Sequence, residues 1–322
     1  MTTWARQSAV FVSKVTDPWI NLAFEDWLFN TQKQFKYQLM LYRNVSSVIV
    51  GRNQLYTLTI ITKNPWRECS VLALDRDNIP IIRRKSGGGT DMGNTNYSIM
   101  MPRDEFDRKR NAHLVSRALH QMDVPSQVNA RHDIVIGDRK VSGSAFKLVN
   151  HRAYHHGTML ISTDISKLGA YLKGPEQGQI VGRGVESVKS QVTSLLNHSY
   201  TADHDGFCKC VAQEFEMEYS ENPIPATFLT MDDFHASKEV QDIYHTLKSW
   251  EWTFGETSQF VHTIPSGQAE KNIAITVLEG IITDVQLIHR ASSDPHADSR
   301  TAQWIGKRYD ANMPLCIQQS LF

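Results

Sequence analysis

Residues Arg83–Thr90 read RRKSGGGT, a basic run that leads directly into three consecutive glycines. The strand-like segments Ile81–Lys85 and Asn96–Met101 flank these glycines, which places them in a loop between two strands. Because glycine has no Cβ, the backbone amides of such a loop can approach a ligand closely, and the adjacent cations supply positive charge. The stretch therefore predicts an anion-binding loop, with a flexible turn beside a solvated basic run as the alternative. It contains neither the G-K-[ST] of a Walker loop nor a G-x-G-x-x-G dinucleotide fingerprint.

A second candidate lies in a hairpin-like segment, in which Ile134–Ile136 and Arg139–Val141 flank a Gly-Asp turn. Lys140 leaves this turn into a strand of small residues, and its amine could neutralise charge that develops on a phosphoryl or acyl centre. Taken alone, it could equally be a surface lysine. Asp133 precedes the hairpin and is a candidate Mg²⁺ ligand, because Mg²⁺ prefers carboxylate oxygen; a turn residue is the alternative.

A third signal is the adjacent pair His155-His156, which lies in a strand-like segment, His155–Ser162. Neighbouring residues of a strand point to opposite faces, so only one of the two histidines can line a given pocket, and a metal pair is disfavoured. The cysteines are too few for a disulfide scaffold, lack C-x2-C spacing and lie outside all three segments, which disfavours a thiol nucleophile. They are Cys69, Cys208, Cys210 and Cys316. No serine triad is evident.

The composition is that of an ordinary soluble protein. The 322 residues include 34 Lys plus Arg and 34 Asp plus Glu, and 41% of all residues are hydrophobic. A zero balance of charge argues against nucleic-acid binding by bulk charge, and the chain contains no apolar run long enough to span a bilayer. A length of this order favours two domains.

Local patterns predict several elements. Asp17-Pro18 is typical of a helix start and opens an amphipathic segment, preceded by a strand over Ala9–Val15. Leu39–Arg43 and Ser47–Gly51 are interpreted as a pair of strands, and Asp104–Met122 as a helix. Strands and helices are intermixed, which indicates a mixed α/β or α+β fold.

The pattern changes near residue 200. Two helical stretches, Asp205–Tyr219 and Ser237–Glu251, precede short strands near Gln259–His262, Asn272–Leu278 and Ile281–Ile288. We therefore expect a first domain over residues 1–198 and a smaller α+β domain over residues 199–322.

At these motifs the sequence resembles the lipoate-protein ligase A and lipoyltransferase family, relatives of the biotin-protein ligases. The matching stretches run in order through nearly the whole chain. They are Asp17–Ala23 (DPWINLA), Tyr42–Asn44 (YRN), Gly51–Gln54 (GRNQ), Asn64–Cys69 (NPWREC), Arg83–Thr90 (RRKSGGGT), Asp91–Asn94 (DMGN), Asp138–Ala145 (DRKVSGSA), His155–Thr158 (HHGT), Gly184–Thr193 (GVESVKSQVT) and Trp250–Gly255 (WEWTFG).

The resemblance implies a catalytic domain of mixed sheets and helices, followed by an accessory domain. It implies an acyl-adenylate-forming ligase that uses lipoate, ATP and Mg²⁺ and transfers the lipoyl group to a lysine of a lipoyl domain. The implied acceptors are the E2 subunits of 2-oxoacid dehydrogenases and the glycine cleavage H protein. A monomer is expected, without nucleic-acid or membrane partners, mitochondrial in a eukaryote and otherwise cytoplasmic.

Carried over position by position, the resemblance implies a catalytic role for Lys140, which would contact the lipoyl carboxyl group and the α-phosphate. Asp133 would lie beside the metal ion. The implied substrate- and nucleotide-binding residues are Arg84, Ser86, Gly87, Gly88, Gly89, Thr90, Asn94, Ser142, His155 and Thr158.

The sequence departs from the family pattern in two places. Nine residues, Leu55–Lys63, separate GRNQ from NPW, which are adjacent in the family. Conversely, Thr90 runs directly into Asp91, where family members carry an additional aliphatic, aromatic and histidine residue that helps to shape the adenine pocket. We interpret both as altered exon boundaries, which would make this a eukaryotic chain or the product of an imperfect gene model; a genomic stretch that codes both changes with no intron nearby would contradict this interpretation.

The shortened stretch leaves alternatives open. A lipoyl or octanoyl transferase that takes an already activated acyl group could tolerate a changed adenine pocket, and a catalytically impaired binder of lipoyl domains could retain only the fold. The absence of a suitably placed cysteine disfavours a thiol-dependent octanoyltransferase. Biotin-protein ligase is disfavoured by the spacing around Ser86–Thr90 and by the Trp250 motif.

Overall fold

The computed structural model describes residues 6–54, 60–88, 90, 92, 95–174, 178–182, 190–266, 271–289 and 300–321. Its strands are numbered along the chain. They are β1 (Arg6–Ser13), β2 (Phe35–Arg43), β3 (Val48–Val50), β4 (Arg52–Gln54), β5 (Ile60–Thr62), β6 (Ile81–Arg83), β7 (Thr95–Pro102), β8 (Gln127–Val128), β9 (Ile134–Ile136), β10 (Arg139–Leu148), β11 (Arg152–Met159), β12 (Gln179–Gly182), β13 (Thr227–Leu229), β14 (Phe260–Pro265), β15 (Lys271–Leu278) and β16 (Ile281–His289).

The helices are numbered in the same way, and short 3₁₀ or π turns are left unnumbered. The helices are α1 (Pro18–Thr31), α2 (Pro65–Glu68), α3 (Val71–Arg76), α4 (Arg108–His120), α5 (Ile165–Tyr171), α6 (His204–Tyr219), α7 (Met231–Ala236), α8 (Lys238–Lys248) and α9 (Met313–Leu321). Within the described ranges, no helix combines the length and the apolar character needed to cross a bilayer.

The core of the molecule is an eight-stranded sheet in the order β13-β1-β2-β7-β11-β10-β9-β8. Strand β1 pairs in parallel with β13 and β2, and the other neighbours are antiparallel. Helices α4 and α6 pack on one side of this sheet, here called the α4 face, and α1 and α8 pack on the other side, the α1 face. The mixed sheet with helices on both faces confirms the predicted α+β class.

Alternation along the central strands assigns each residue to a face. Leu39 and Ile99 lie in the cluster on the α4 face, whereas their neighbours Met40 and Met100 lie in the cluster on the α1 face. All four side chains are fully buried, because both faces are covered by helices. The central strands consequently read as continuous apolar runs instead of alternating ones.

Helix α1 begins where the sequence predicts. The Asp17 carboxylate accepts hydrogen bonds from the amides of Trp19 and Ile20 at 2.9 and 3.0 Å, and Pro18 occupies the first turn, where no amide donor is needed. The predicted helix over Asp104–Met122 was wrong at its start. Asp107 caps α4 through the amides of the next turn, and residues 103–105 form a separate 3₁₀ turn.

A second, antiparallel sheet has the order β12-β14-β15-β16 and packs with α9 around the buried Trp66 of α2. Strand β12 precedes residue 198, yet it belongs to this second sheet. Strand β13 and helices α6 and α8 follow residue 198, yet they pack with the large sheet. The predicted boundary between residues 1–198 and 199–322 therefore does not coincide with the division between the two sheets.

The strands around residues 44–46 do not pair with each other, so their interpretation as a pair was wrong. Strand β2 lies in the large sheet, whereas β3 pairs in parallel with β6, which carries the chain into the glycine-rich loop. Strands β4 and β5 form a hairpin that includes the last residues of the Leu55–Lys63 insertion. Residues 55–59 of that insertion lie outside the described residues.

Candidate active site

The glycine-rich loop is held against strand β10. The Gly87 amide donates to the Phe146 carbonyl at 3.0 Å, and the Arg84 Nη2 donates to the Gly87 carbonyl at 2.9 Å. Gly88 has a φ of 92°, and a Cβ built there would lie 2.8 Å from both Ala145 Cβ and Arg84 Nη2. Only glycine fits this backbone and this contact, because other residues rarely adopt positive φ and carry the clashing atom.

Arg84 and Ser86 are buried beneath the loop, at 2% and 0% exposure. Arg84 bonds to the loop carbonyl, and its own amide donates to the Val50 carbonyl at 3.0 Å, which links the loop to β3. The Ser86 carbonyl accepts from the Arg52 amide at 2.8 Å. These backbone contacts fix the path of the loop against β3 and β10.

Lys140 lies in the predicted hairpin, which the structure confirms. Strands β9 and β10 pair around Gly137, whose φ is 60°. The Lys140 Nζ lies 2.7 Å from Asp133 Oδ1, and the lysine side chain is 21% exposed. Its Cε lies 3.9 Å from the position that a Cβ on Gly143 would occupy. The amine is thus held over a glycine of the same strand and remains partly open to solvent.

Register places this lysine and the loop on the same side of the large sheet. Gly143 and Ala145 are two residues apart, so they share a face. Lys140 lies over Gly143, and Gly88 contacts Ala145. Thr158 pairs directly with Gly143 across β11, and its Oγ1 donates to Asn96 Oδ1 at 3.0 Å. The structure therefore brings Thr158 together with Lys140 and the loop on the α1 face.

Ser142 and His155, predicted to bind substrate or nucleotide, lie on the opposite, α4 face, so the structure does not bring them together with Lys140 and the loop. Ser142 Oγ is 3.3 Å from the Tyr97 hydroxyl, and His155 Nε2 is 2.5 Å from Ser144 Oγ. His155 pairs directly with Ile99 of the α4-face cluster. Burial, followed by the charge of Arg108, lowers the pKa of His155 to about 3, so it is neutral at physiological pH. These side chains therefore pack on the face of the sheet opposite the loop.

The other predicted residues that follow Gly88 are Gly89, Thr90 and Asn94. Thr90 Oγ1 donates to Glu68 Oε2 of α2 at 3.4 Å. Gly89 and Asn94 lie outside the described residues. No cluster of three or more His, Cys, Asp or Glu side chains with metal-binding geometry occurs in the part of the chain that the structure describes.

The family model of the lipoyl protein ligase A/B catalytic domain matches residues 17–216. The chain belongs to this family. The predicted family, fold class and ligase type of enzyme are confirmed. The match covers α1, the loop and Lys140, and it ends within α6, which packs on the large sheet.

Two relatives of this lipoyl ligase align over most of its length. It is 34% identical over 262 residues to lipoate-protein ligase A of Psychrobacter cryohalolentis, covering 79% of this chain and 74% of the relative. It is 36% identical over 334 residues to a Schizosaccharomyces pombe protein provisionally named lipoate-protein ligase A, covering 95% and 86%. Among solved structures, P. falciparum LipL1 in complex with lipoate superposes with a TM-score of 0.64 at 25% identity, covering 88% and 85%.

The histidine of the lipoyl ligase that does share the α1 face is His156. It pairs directly with Ala145, and its Nδ1 lies 2.7 Å from Glu25 Oε1 of α1. The Tyr42 hydroxyl lies beside both groups, and His156 and Glu25 are only 3% and 2% exposed. The strand pattern had shown that one histidine of the pair must face away, but choosing between them required the register of β10 against β11.

Asp26, also on α1, was missed by the sequence reasoning. Its carboxylate lies 3.4 Å from the Nζ of Lys85 in the loop and 3.1 Å from the Nζ of Lys147 on β10. Asp26 is 5% exposed. It therefore joins the glycine-rich loop to the strand that carries Lys140, and no local pattern in the helix marks it.

Replacing Asp26 with asparagine is expected to reduce the free energy of unfolding by about 1–3 kcal/mol, because two ammonium groups lose a buried acceptor. Urea unfolding measures the change. The control is Glu251→Gln, which disrupts a pair with Arg308 in which Glu251 is 67% exposed; an exposed pair contributes less than about 1 kcal/mol. Equal effects of the two variants would contradict the bridging role of Asp26.

Proposed function

We propose that this protein is an ATP-dependent lipoate ligase. In the first step, the lipoate carboxylate attacks the α-phosphorus of ATP, the bond to the bridging oxygen breaks, and pyrophosphate leaves. In the second step, the amine of an acceptor lysine attacks the acyl carbon, AMP leaves, and the amine loses a proton to solvent. The observation that carries the proposal is the placement of Lys140 and the Gly87–Gly88 loop on one face of the sheet.

The first step needs positive charge where two anions meet, and the second step needs it where charge develops on the acyl oxygen and the leaving AMP. The lipoate carboxylate and the α-phosphate repel each other, and a carboxylate is a poor electrophile until its oxygen forms part of a leaving group. Lys140 can donate to both through its three N–H bonds, and Asp133 holds its ammonium group in place at 2.7 Å. The loop borders this site and is held in place by the bond from the Gly87 amide to the Phe146 carbonyl, so it needs no reorganisation during the reaction.

The acyl chain also has a suitable surface. Gly143 presents no side chain on the α1 face, which leaves room beside Lys140 for the end of an acyl channel, whereas the loop itself covers Ala145. Apolar tails of lipoate and octanoate differ by only about 1–3 kcal/mol in such a channel.

Mg²⁺ fits this site as a companion of the nucleotide. Mg²⁺ commonly binds through one or two carboxylates plus substrate phosphates. Asp133 supplies one carboxylate, which is already paired with Lys140, and the described residues form no larger cluster of metal ligands. When bound, the ion would neutralise phosphate charge, with Asp133 as its protein ligand.

We further propose that the acceptors are lipoyl domains of 2-oxoacid dehydrogenase E2 subunits and the glycine cleavage H protein, as the family membership suggests. Lys140, Asp133, Thr158 and the loop all come from one chain, which supports action as a monomer. In a eukaryotic cell these acceptors would place the enzyme in mitochondria.

Incubation with lipoate, ATP and Mg²⁺ is expected to release pyrophosphate, and addition of an apo lipoyl domain is expected to give a lipoyl adduct on one lysine by mass spectrometry. The control is ATP without lipoate, which should release none. The absence of pyrophosphate, with transfer from supplied lipoyl-adenylate intact, would identify a transferase instead. The direct junction of Thr90 with Asp91 is the observation that favours that second candidate.

A further inference from the structure

Arg83, the first arginine of the RRKSGGGT stretch, bonds to Lys63 and to the segment Trp252–Thr257, which follows helix α8. Its Nε donates to the carbonyls of Trp252 and Thr253, both at 3.0 Å, and its Nη2 donates to the Thr253 carbonyl at 2.8 Å and to Thr257 Oγ1 at 3.1 Å. Its Nη1 donates to the Lys63 carbonyl at 2.9 Å. Arg83 is 0% exposed. Every nitrogen of the guanidinium is therefore engaged away from the site of Lys140.

Two of the acceptors of Arg83, the carbonyls of Trp252 and Thr253, belong to a short π-helical turn, Glu251–Gly255, in which the last carbonyls lack partners within the helix. These carbonyls carry partial negative charge, which suits a cation. Burial lowers the pKa of Arg83 to about 10, so the guanidinium remains charged at neutral pH. A fully buried cation bound mainly by carbonyls is costly to desolvate, which makes it a poor choice for stability alone.

Trp252 and Glu256 make further contacts with Arg83 and with residues near the loop. The Trp252 indole N–H donates to the Arg83 carbonyl at 2.8 Å, so the two residues are bonded in both directions. Arg52 pairs with Glu256 at 2.8 Å. The guanidinium of Arg52 lies 4.7 Å from the Trp252 ring centre, and Lys85 Nζ lies 4.9 Å from it. Trp252 thus lies beside Lys85 of the loop and beside Arg52 of β4.

These contacts lead directly to the loop. Arg83 is the last residue of β6, and Arg84 follows it and bonds to the Gly87 carbonyl. Arg52 donates its amide to the Ser86 carbonyl at 2.8 Å. A displacement of Arg83 or Trp252 would therefore shift Arg84 and Ser86, and binding sites tolerate only about 0.5 Å of such error.

We infer that Arg83 and Trp252 are positioning residues for the ligase reaction, through which the turn Glu251–Thr257 sets the position of the Arg84–Gly88 loop. The inference rests on the proposed function. It assigns the turn Glu251–Thr257, which follows helix α8 on the α1 face, a part in substrate binding.

The test compares Arg83→Lys, which keeps the charge but loses the planar fork of donors, with Trp252→Phe, which keeps an aromatic ring but loses the N–H. We expect kcat/KM for lipoate in pyrophosphate release to fall about ten- to a hundred-fold for Arg83→Lys and several-fold for Trp252→Phe, mainly through KM. The control is Arg308→Lys, because Arg308 bonds to Glu251 of the same turn but does not contact Arg83; it should match the wild type.

Calorimetric binding of lipoate gives a second readout that requires no turnover. All variants are compared well below their unfolding transitions, so a loss of folded protein does not enter the comparison. A lipoate affinity in Arg83→Lys and Trp252→Phe equal to that of the wild type would overturn the inference, whatever the pyrophosphate assay shows. Wild-type protein that binds lipoate but releases no pyrophosphate would overturn the proposed ATP-dependent reaction and leave the affinity comparison valid.

Discussion

Replacing Lys140 with alanine is expected to lower kcat/KM for lipoate activation by about 10²- to 10³-fold, since a preorganised donor at a developing charge is lost. The lysine is the cation on the strand face beneath the loop that contacts Asp133 at 2.7 Å. Pyrophosphate release with lipoate, ATP and Mg²⁺ measures the effect. Lys140→Arg should recover only part of the activity, because a planar guanidinium cannot reproduce the point charge of an ammonium group over Gly143.

The matched control is Arg139→Ala, which removes an exposed cation from the neighbouring position on the same strand. Because adjacent strand residues point to opposite faces, this substitution should leave kcat/KM almost unchanged. Rescue of a lipoylation-deficient strain gives an independent measurement. Equal rescue by Lys140→Ala and wild type would show that the chemistry of Lys140 is dispensable and would favour a non-catalytic binder of lipoyl domains.

Replacing Gly88 with alanine is expected to reduce lipoate activation by more than about 10²-fold, because misplacement by an ångström can cost that much. The φ of 92° is unfavourable for alanine, and the new Cβ would lie 2.8 Å from Ala145 Cβ on a rigid strand. Arg84 Nη2 lies at the same distance, so its bond to the Gly87 carbonyl would also be disturbed. The loop must move away from β10 to accept the methyl group.

The Gly306→Ala variant distinguishes the effect of backbone strain from the effect of moving the loop. Gly306 has a similar φ of 84°, but a Cβ there would meet no atom within 4 Å. It should therefore lose about 1–3 kcal/mol of stability from backbone strain and retain its activity. Thermal unfolding and pyrophosphate release, measured on both variants, distinguish strain from displacement of the loop. Activity of Gly88→Ala at the level of Gly306→Ala would contradict a role of the loop position in catalysis.

Much of the fold follows from local sequence patterns. Asp17 and Pro18 determine the start of α1 within one turn, and the Gly137 turn determines the β9–β10 hairpin, because each depends on hydrogen bonds between near neighbours. The helix α4 shows the limit of this approach. Residues 104–122 have a helical pattern, but Asp107 accepts the first amides and so begins the helix later.

The candidate site was predicted as a set of motifs, and the structure divides that set between two faces. Lys140 and Thr158 join the loop, whereas Ser142 and His155 lie behind the sheet. The motif HHGT shows that its two histidines face opposite sides of the sheet, but it does not show which of them faces the loop. That choice depends on which residue of β10 pairs with which residue of β11. Glu25 and Asp26 entered the site only through the packing of α1 on that face.

The sequence by itself indicated the family and the elements with local caps and turns, and it singled out the loop and Lys140 as candidate site residues. These depend on residue type and near-neighbour spacing, which a single chain displays directly. Only the tertiary structure decided the partners of Arg83. This residue precedes Arg84 of the loop in sequence, but it bonds to the carbonyls of Trp252 and Thr253, 169 and 170 positions away. Such a contact exists only after two distant segments pack together, because a backbone carbonyl has the same identity at every residue and leaves no signal in sequence.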